Sequence, residues 1–216
     1  MIVEEIMQTT IITLSPEDTI FEAHQLMQRH RVRHLPIVNE NREILGIVSD
    51  RNIRDAAPSI LTDAAEQKYL LDKPISSIMT TEVITGHPLD FVEEIGAIFY
   101  EHHISCLPIE NHGKLVGIIT ETDLLHTLIQ LTGANQPGSQ IEIVAPNRAG
   151  VLNDITNTFR KRRANILSVL IYPDKRDDQN KIIVLRVQTM NPIRLIEDLE
   201  TSGYHVLWPN LPGIEL

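Results

Sequence analysis

A stretch that begins at Ile6 (IMQTTIITLSPEDTIFEAHQLMQRHRVRHLPIV) returns 72 residues later from Ile78 (IMTTEVITGHPLDFVEEIGAIFYEHHISCLPIE). Ile6, Met7, Thr9, Ile12, Thr13, Pro16, Asp18, Glu22, His30, Leu35, Pro36 and Ile37 all meet an identical residue at that offset. After a polar loop the register slips by one, so that ILGIVSDRN (44–52) aligns with LVGIITETD (115–123) and Gly46 with Gly117. An internal repeat constrains the chain more than any composition does, because the same local structure has to form twice.

Each copy reads as strand, helix, strand, turn, strand, helix. Ile11 to Leu14 is β-prone, and Ser15-Pro16-Glu17-Asp18 is a turn and N-cap signal. Ile20, Ala23 and Met27 recur at helical spacing, with Phe21 and Leu26 widening the stripe. In the second copy Asp90 and Glu93 form the expected capping pair ahead of Val92, Ile95 and Phe99. Leu35-Pro36-Ile37-Val38 predicts a short strand opened by proline. Ile44 to Val48 predicts another strand, interrupted by Gly46, and a helix begins after Ser49. Between the copies, residues 62–71 open on Asp63 and Glu66 and predict a helix.

The His/Arg-x-Leu-Pro-Ile strand and the Gly-hydrophobic-hydrophobic-Ser/Thr-x-x-Asp/Asn ending occur together twice, in the same order. In this the chain resembles the CBS family over roughly residues 1–132. The resemblance implies a pseudo-symmetric pair whose clefts hold an adenine nucleotide of the AMP, ADP or ATP class as a regulatory ligand, with no obligatory cofactor. Ser49 and Thr120 stand at the N-caps, where a hydroxyl and unpaired backbone N–H groups make a small anion site favoured by the helix dipole. By the family's motif they face phosphate, while Asn52 and Asp123 face the ribose, whose hydroxyls can donate to a carboxylate in charge-assisted bonds. Asn52 departs from the commoner Asp and loses that charge assistance, so the site at Thr120 and Asp123 is expected to be the tighter. Family precedent adds Arg33 and His34 as phosphate contacts, and Arg51 is a further candidate. Ile12, Thr13, Ile84 and Thr85 would line the adenine. As plain helix caps, Ser49 and Thr120 would each contribute about 0.5–2 kcal/mol of stability and bind nothing.

Residues 131–139 (LTGANQPGS) are a turn-rich linker marking a domain boundary. Beyond it, strands at Gln140–Val144, Ile166–Tyr172, Ile182–Val187 and Tyr204–Trp208 are expected. One helix with Val151, Leu152, Ile155 and Phe159 on a face follows the first strand. A second starts at Pro192 and ends at Gly203. The order βαββαβ is ferredoxin-like. The Asn147-Arg148-Ala149-Gly150 loop and the Ala164-Asn165-Ile166-Leu167-Ser168 segment resemble the ACT family, which implies an amino-acid site at Asn147, Gly150 and Val151. Arg160-Lys161-Arg162-Arg163 closes the first of these helices, where cations are favourable against the dipole.

The expected fold class is therefore α+β: a tandem CBS pair (1–58 and 78–132, joined by a helical linker at 59–77), a linker at 133–139 and a ferredoxin-like βαββαβ ACT domain at 140–216. A formal charge of −10 argues against a duplex nucleic-acid partner. The single cysteine, Cys106, leaves no intramolecular disulfide and fits a reducing compartment. Neither a signal peptide nor an apolar run long enough for a bilayer is read, so the expectation is a cytoplasmic protein with no membrane partner. No metal framework or nucleophile–base pair is recognisable; adjacent His102 and His103 would point about 100° apart on a helix. Taken together, these features predict a non-catalytic allosteric regulator, homodimeric, acting on an unidentified metabolic enzyme or regulator. The full-length arrangement is similar to that of bacterial acetoin utilization proteins, which implies acetoin or carbon-energy metabolism. The alternatives are a dimerisation or docking protein with empty clefts, or a small cleft enzyme.

Overall fold

The two copies form alike and are threaded through one another. In a computed structural model that describes residues 1–56 and 69–209, packing divides the chain into two units, Met1–Leu125 and His126–Leu216. Within the first unit, α1 (Ile20–His30) leads to the antiparallel pair β1 (His34–Val38) and β2 (Ile44–Ser49), then α2 (Asp50–Ala56). The same order recurs in α3 (Val92–His102), β3 (Cys106–Asn111), β4 (Lys114–Thr120) and α4 (Glu121–Thr132), the last of which runs into the second unit. Ile20, Ala23 and Met27 are buried on α1, and Val92, Ile95 and Phe99 on α3. Phe21 remains 44% exposed.

Three local expectations are corrected. Ile11 to Leu14 is extended but makes only one parallel bridge, Leu14 to Ile37. The Leu14 N–H donates to the Pro36 carbonyl at 3.1 Å, and the Val38 N–H donates to the Leu14 carbonyl at 2.9 Å. The next rung would need an N–H from Pro36, which has none, so no strand propagates. The α1 N-cap is Thr19: its N–H donates to the Glu22 carboxylate at 2.8 Å and its hydroxyl accepts from the Glu22 N–H at 3.2 Å. Asp18 instead closes the turn, accepting from the Ser15 N–H at 2.7 Å. Asp90 likewise accepts from the His87 N–H at 2.7 Å, and Glu94 rather than Glu93 reaches back to the Phe91 N–H at 3.2 Å. The helix expected over 62–71 lies outside the described residues up to 68; residues 69–71 are helical.

The segment leading into each copy packs on the other copy. Val3 is fully buried among Ile95, Phe99, Leu107, Ile109 and Ile119, whereas Ile75 is buried among Leu14, Ile20, Leu35, Ile37 and Val48. Gln8 exchanges two backbone hydrogen bonds with Ile118 (2.9 and 3.0 Å), and Thr80 does so with Ile47 (2.9 and 3.0 Å). This crossing accounts for the glycine in each second strand. A Cβ at Gly46 would meet the Met79 sulfur at 2.7 Å and the Thr80 carbonyl oxygen at 3.0 Å, and one at Gly117 would collide with the Met7 sulfur.

The second unit holds β5 (Ser139–Pro146), α5 (Val151–Lys161), β6 (Ile166–Pro173), β7 (Asn180–Val187), α6 (Ile193–Thr201) and β8 (His205–Trp208). The antiparallel sheet runs β6-β7-β5-β8, the ferredoxin-like order. Alternation puts Ile141, Ile143 and Ala145 of β5 against Val151, Ile155 and Phe159 of α5, and against Leu195, Ile196 and Leu199 of α6. Leu152 is 36% exposed, off the stripe where it was expected. Arg162, in the basic run, grips Asp198 near the end of α6 with two bonds of 2.6 and 2.7 Å. That explains one of the four cations as a bracket between helices.

Candidate functional site: two related clefts

Both strand-to-helix junctions close on themselves in the same way. The Ser49 N–H and hydroxyl donate to Asn52 Oδ1 at 2.8 and 2.6 Å, and the Asn52 N–H returns to Ser49 Oγ at 3.2 Å. The Thr120 N–H and hydroxyl donate to Asp123 Oδ2 at 2.8 and 2.6 Å, and the Asp123 N–H returns to Thr120 Oγ1 at 3.4 Å. Each is a capping box. The first helical N–H is also taken: Asp50 donates to the Arg33 carbonyl at 2.9 Å, Glu121 to the Ser105 carbonyl at 3.2 Å. The expected cradle of unpaired amides is therefore mostly occupied by the protein itself. Recognition of an anion then falls to side chains, and Asp123 Oδ1 accepts from Gln8 Nε2 at 3.3 Å.

A cavity opens beside each junction, of about 410 Å³ at Ser49 and Asn52 and about 480 Å³ at Thr120 and Asp123. Both are in the range of small-molecule sites. Because of the crossing, each junction shares its cavity with the leading segment of the other copy. Ser49, Arg51 and Asn52 lie with Val83, Ile84 and Ile104; Thr120 and Asp123 lie with Ile11, Ile12 and Val32. Arg33, His34 and Ser105 line both. The Ser105 hydroxyl lies 3.3 Å from His34 Nε2, within hydrogen-bonding distance.

Most of the residues anticipated from the sequence thus converge on two walls, and two do not. Thr13 and Thr85 are off both cavities, whereas Ile11 and Ile12 line the second and Val83 and Ile84 the first. Sequence reasoning missed Gln8, Arg31, Arg54, Glu82 and His103. Gln8 and Glu82 come from the leading segments, and no local pattern announces that these cross over.

Electrostatics separates the clefts further. Arg51 pairs with Asp55 at 3.7 Å and Arg54 with Asp50 at 3.3 Å, both on the surface of α2. Burial, and then the charge of Arg33, hold His34 below the usual histidine range, so it is neutral at pH 7. Burial, reinforced by the Asp123 carboxylate, pushes the Cys106 thiol up to about 12, which keeps it protonated and unreactive. Among the described residues no three His, Cys, Asp or Glu side chains gather as a metal would require.

The three residues expected to hold an amino acid differ in their local surroundings. Gly150 caps α5 at φ +83°, and nothing lies within 4 Å of where its Cβ would be. Left-handed backbone, rather than a close approach, accounts for glycine there in this structure. The Val151 side chain is in the sheet–helix core. Asn147 lines a cavity of about 440 Å³ with Tyr172, Asp174 and Lys181.

A protein-family model for the CBS domain matches residues 3–59 and 75–130, and one for the ACT domain matches 139–201. The CBS domain-containing protein YhcV of Bacillus subtilis is 34% identical over 122 residues, covering 56% of this chain and 81% of the relative. Homoserine O-acetyltransferase of Methanococcus vannielii is 33% identical over 128 residues, but the chain spans only 25% of that enzyme. Among solved structures, a Vibrio cholerae protein named for acetoin utilization (AcuB) aligns at TM-score 0.54 and 31% identity, over 63% of this chain and 98% of that one. The CBS pair of protein MJ0100, solved with 5′-methylthioadenosine and S-adenosyl-L-methionine, aligns at TM-score 0.51 and 28% identity, over 63% and 98%. No helix among the described residues is long and apolar enough to cross a membrane.

Proposed function

Since the chain belongs to the CBS-domain proteins and carries an ACT domain after its CBS pair, we propose that it is a non-catalytic regulator whose clefts bind an adenosine nucleotide. The observation that carries this reading is the duplication of one binding frame. Two cavities of nucleotide size each bring together a hydroxyl, an Asn or Asp, the Arg33 wall and an apolar shelf on which a purine can lie. Asp123 Oδ1 takes the ribose hydroxyls, Arg33 the phosphate, and Ile11 and Ile12 the base in the second cleft; Asn52, Arg33 and Ile84 do so in the first. The adenosine-bearing ligands of MJ0100 support the same ligand class, and the likeness to the Vibrio protein supports a place in acetoin or carbon-energy metabolism. A homodimer in the cytoplasm, signalling occupancy to a metabolic enzyme, completes the reading.

A thermal-shift series against AMP, ADP, ATP and S-adenosylmethionine tests it. Ligand at 100 times its Kd stabilises by about 2.7 kcal/mol, and each kcal/mol moves the midpoint of a chain this size by about 2–4 °C. A shift of several degrees with one ligand, reduced in Asp123→Ala, is the expected result. No shift with any of the four at millimolar concentration would overturn the reading and leave the CBS pair as a scaffold.

A further inference from the structure

We propose that Arg33 is one cation serving two clefts, so that an anionic nucleotide in either cleft weakens the binding of a second in the other. This rests on the nucleotide reading above. Were the two copies equivalent, position 105 would carry a second arginine; it is Ser105, and the counterpart of His34 is the buried Cys106. The wall between the cavities thus holds a single fixed positive charge and borders both. The other arginines do not substitute for it. Arg51 and Arg54, in exposed ion pairs of their own helix, border the first cleft alone, and Arg31 borders the second alone. A guanidinium engages phosphate with a planar fork of donors, and once the fork is docked its direction is fixed. The unfilled cleft then loses the shared cation.

The test is calorimetric titration of the full chain with AMP. Asp123→Ala leaves the first cleft and gives its affinity alone; Asn52→Ala does the same for the second. Two independent clefts would make the product of the wild type's stepwise constants equal the product of these two. The shared cation makes the wild-type product about tenfold weaker. In the Arg33→Ala background every affinity falls and that tenfold gap closes. A wild type that matches independent clefts, a product stronger than independence, or a gap that persists without Arg33 would overturn the inference while leaving nucleotide binding intact. Absence of any AMP, ADP or ATP binding would overturn the nucleotide reading and this inference with it.

Discussion

The cleft at Ser49 and Asn52 and the cleft at Thr120 and Asp123 share a frame: a strand ending in a hydroxyl, a capping box, and a leading segment borrowed from the other copy. They differ in what fills it. The first has a neutral amide where the second has a carboxylate, and a bordering wall of Val83, Ile84 and Ile104 where the second has Ile11, Ile12 and Val32. Backbone and caps are set by the repeat, whereas the few charges in the clefts are left free to vary.

The largest expected effect comes from breaking the shared frame. Gly46→Val and Gly117→Val should each cost about 1–3 kcal/mol by overpacking, read as the midpoint of urea unfolding. Gly46→Val should cost more. Its added carbon meets the Thr80 backbone oxygen as well as Met79, whereas the nearest atoms at Gly117 all belong to the flexible Met7 side chain. Unchanged midpoints in both variants would contradict the crossing of leading segments as the reason for these glycines.

Next in size is an exchange of the two polar groups. A hydrogen bond to a charged acceptor contributes about 1 kcal/mol more than one to a neutral acceptor. Asp123→Asn should weaken the second cleft roughly fivefold, and Asn52→Asp should strengthen the first by a similar factor, so the ranking of the clefts by AMP titration reverses. An unchanged ranking would show that the ribose is not read at these positions.

A smaller effect belongs to the wall. The pKa of His34 lies below the ordinary 6.5 because folding buries it. The unfolded chain therefore takes up a proton that the folded chain resists. The stability this group confers is complete above the ordinary value and is lost as pH falls from there toward the folded pKa. In His34→Gln that part of the acid slope should vanish from the unfolding free energy. The smallest effect is expected from Arg162→Ala, which removes the exposed bracket to Asp198: the ACT unit should melt slightly earlier, with AMP titrations of both clefts unchanged.

Sequence carried the fold at the level of elements because periodicity is local. The α1 and α3 stripes, both hairpins and the βαββαβ order all follow from residues within a few positions of one another. It failed where structure depends on distant partners. Ile11 to Leu14 has strand residues, yet Pro36 denies it a ladder. Asp90 has capping chemistry, yet Glu94 reaches the helix start. In the site, the junction residues were visible because the repeat aligns them and Arg33 because the family resemblance points to it, whereas Gln8 and Glu82 enter from segments that cross between copies.

The central claim is most directly tested by calorimetric titration of the full chain with AMP beside a double variant, Asn52→Ala with Asp123→Ala, whose folding is confirmed by its unfolding midpoint. Saturable binding to the wild type that disappears in the folded double variant is the predicted result. Binding of equal strength in both would contradict the assignment of the two clefts as the ligand sites.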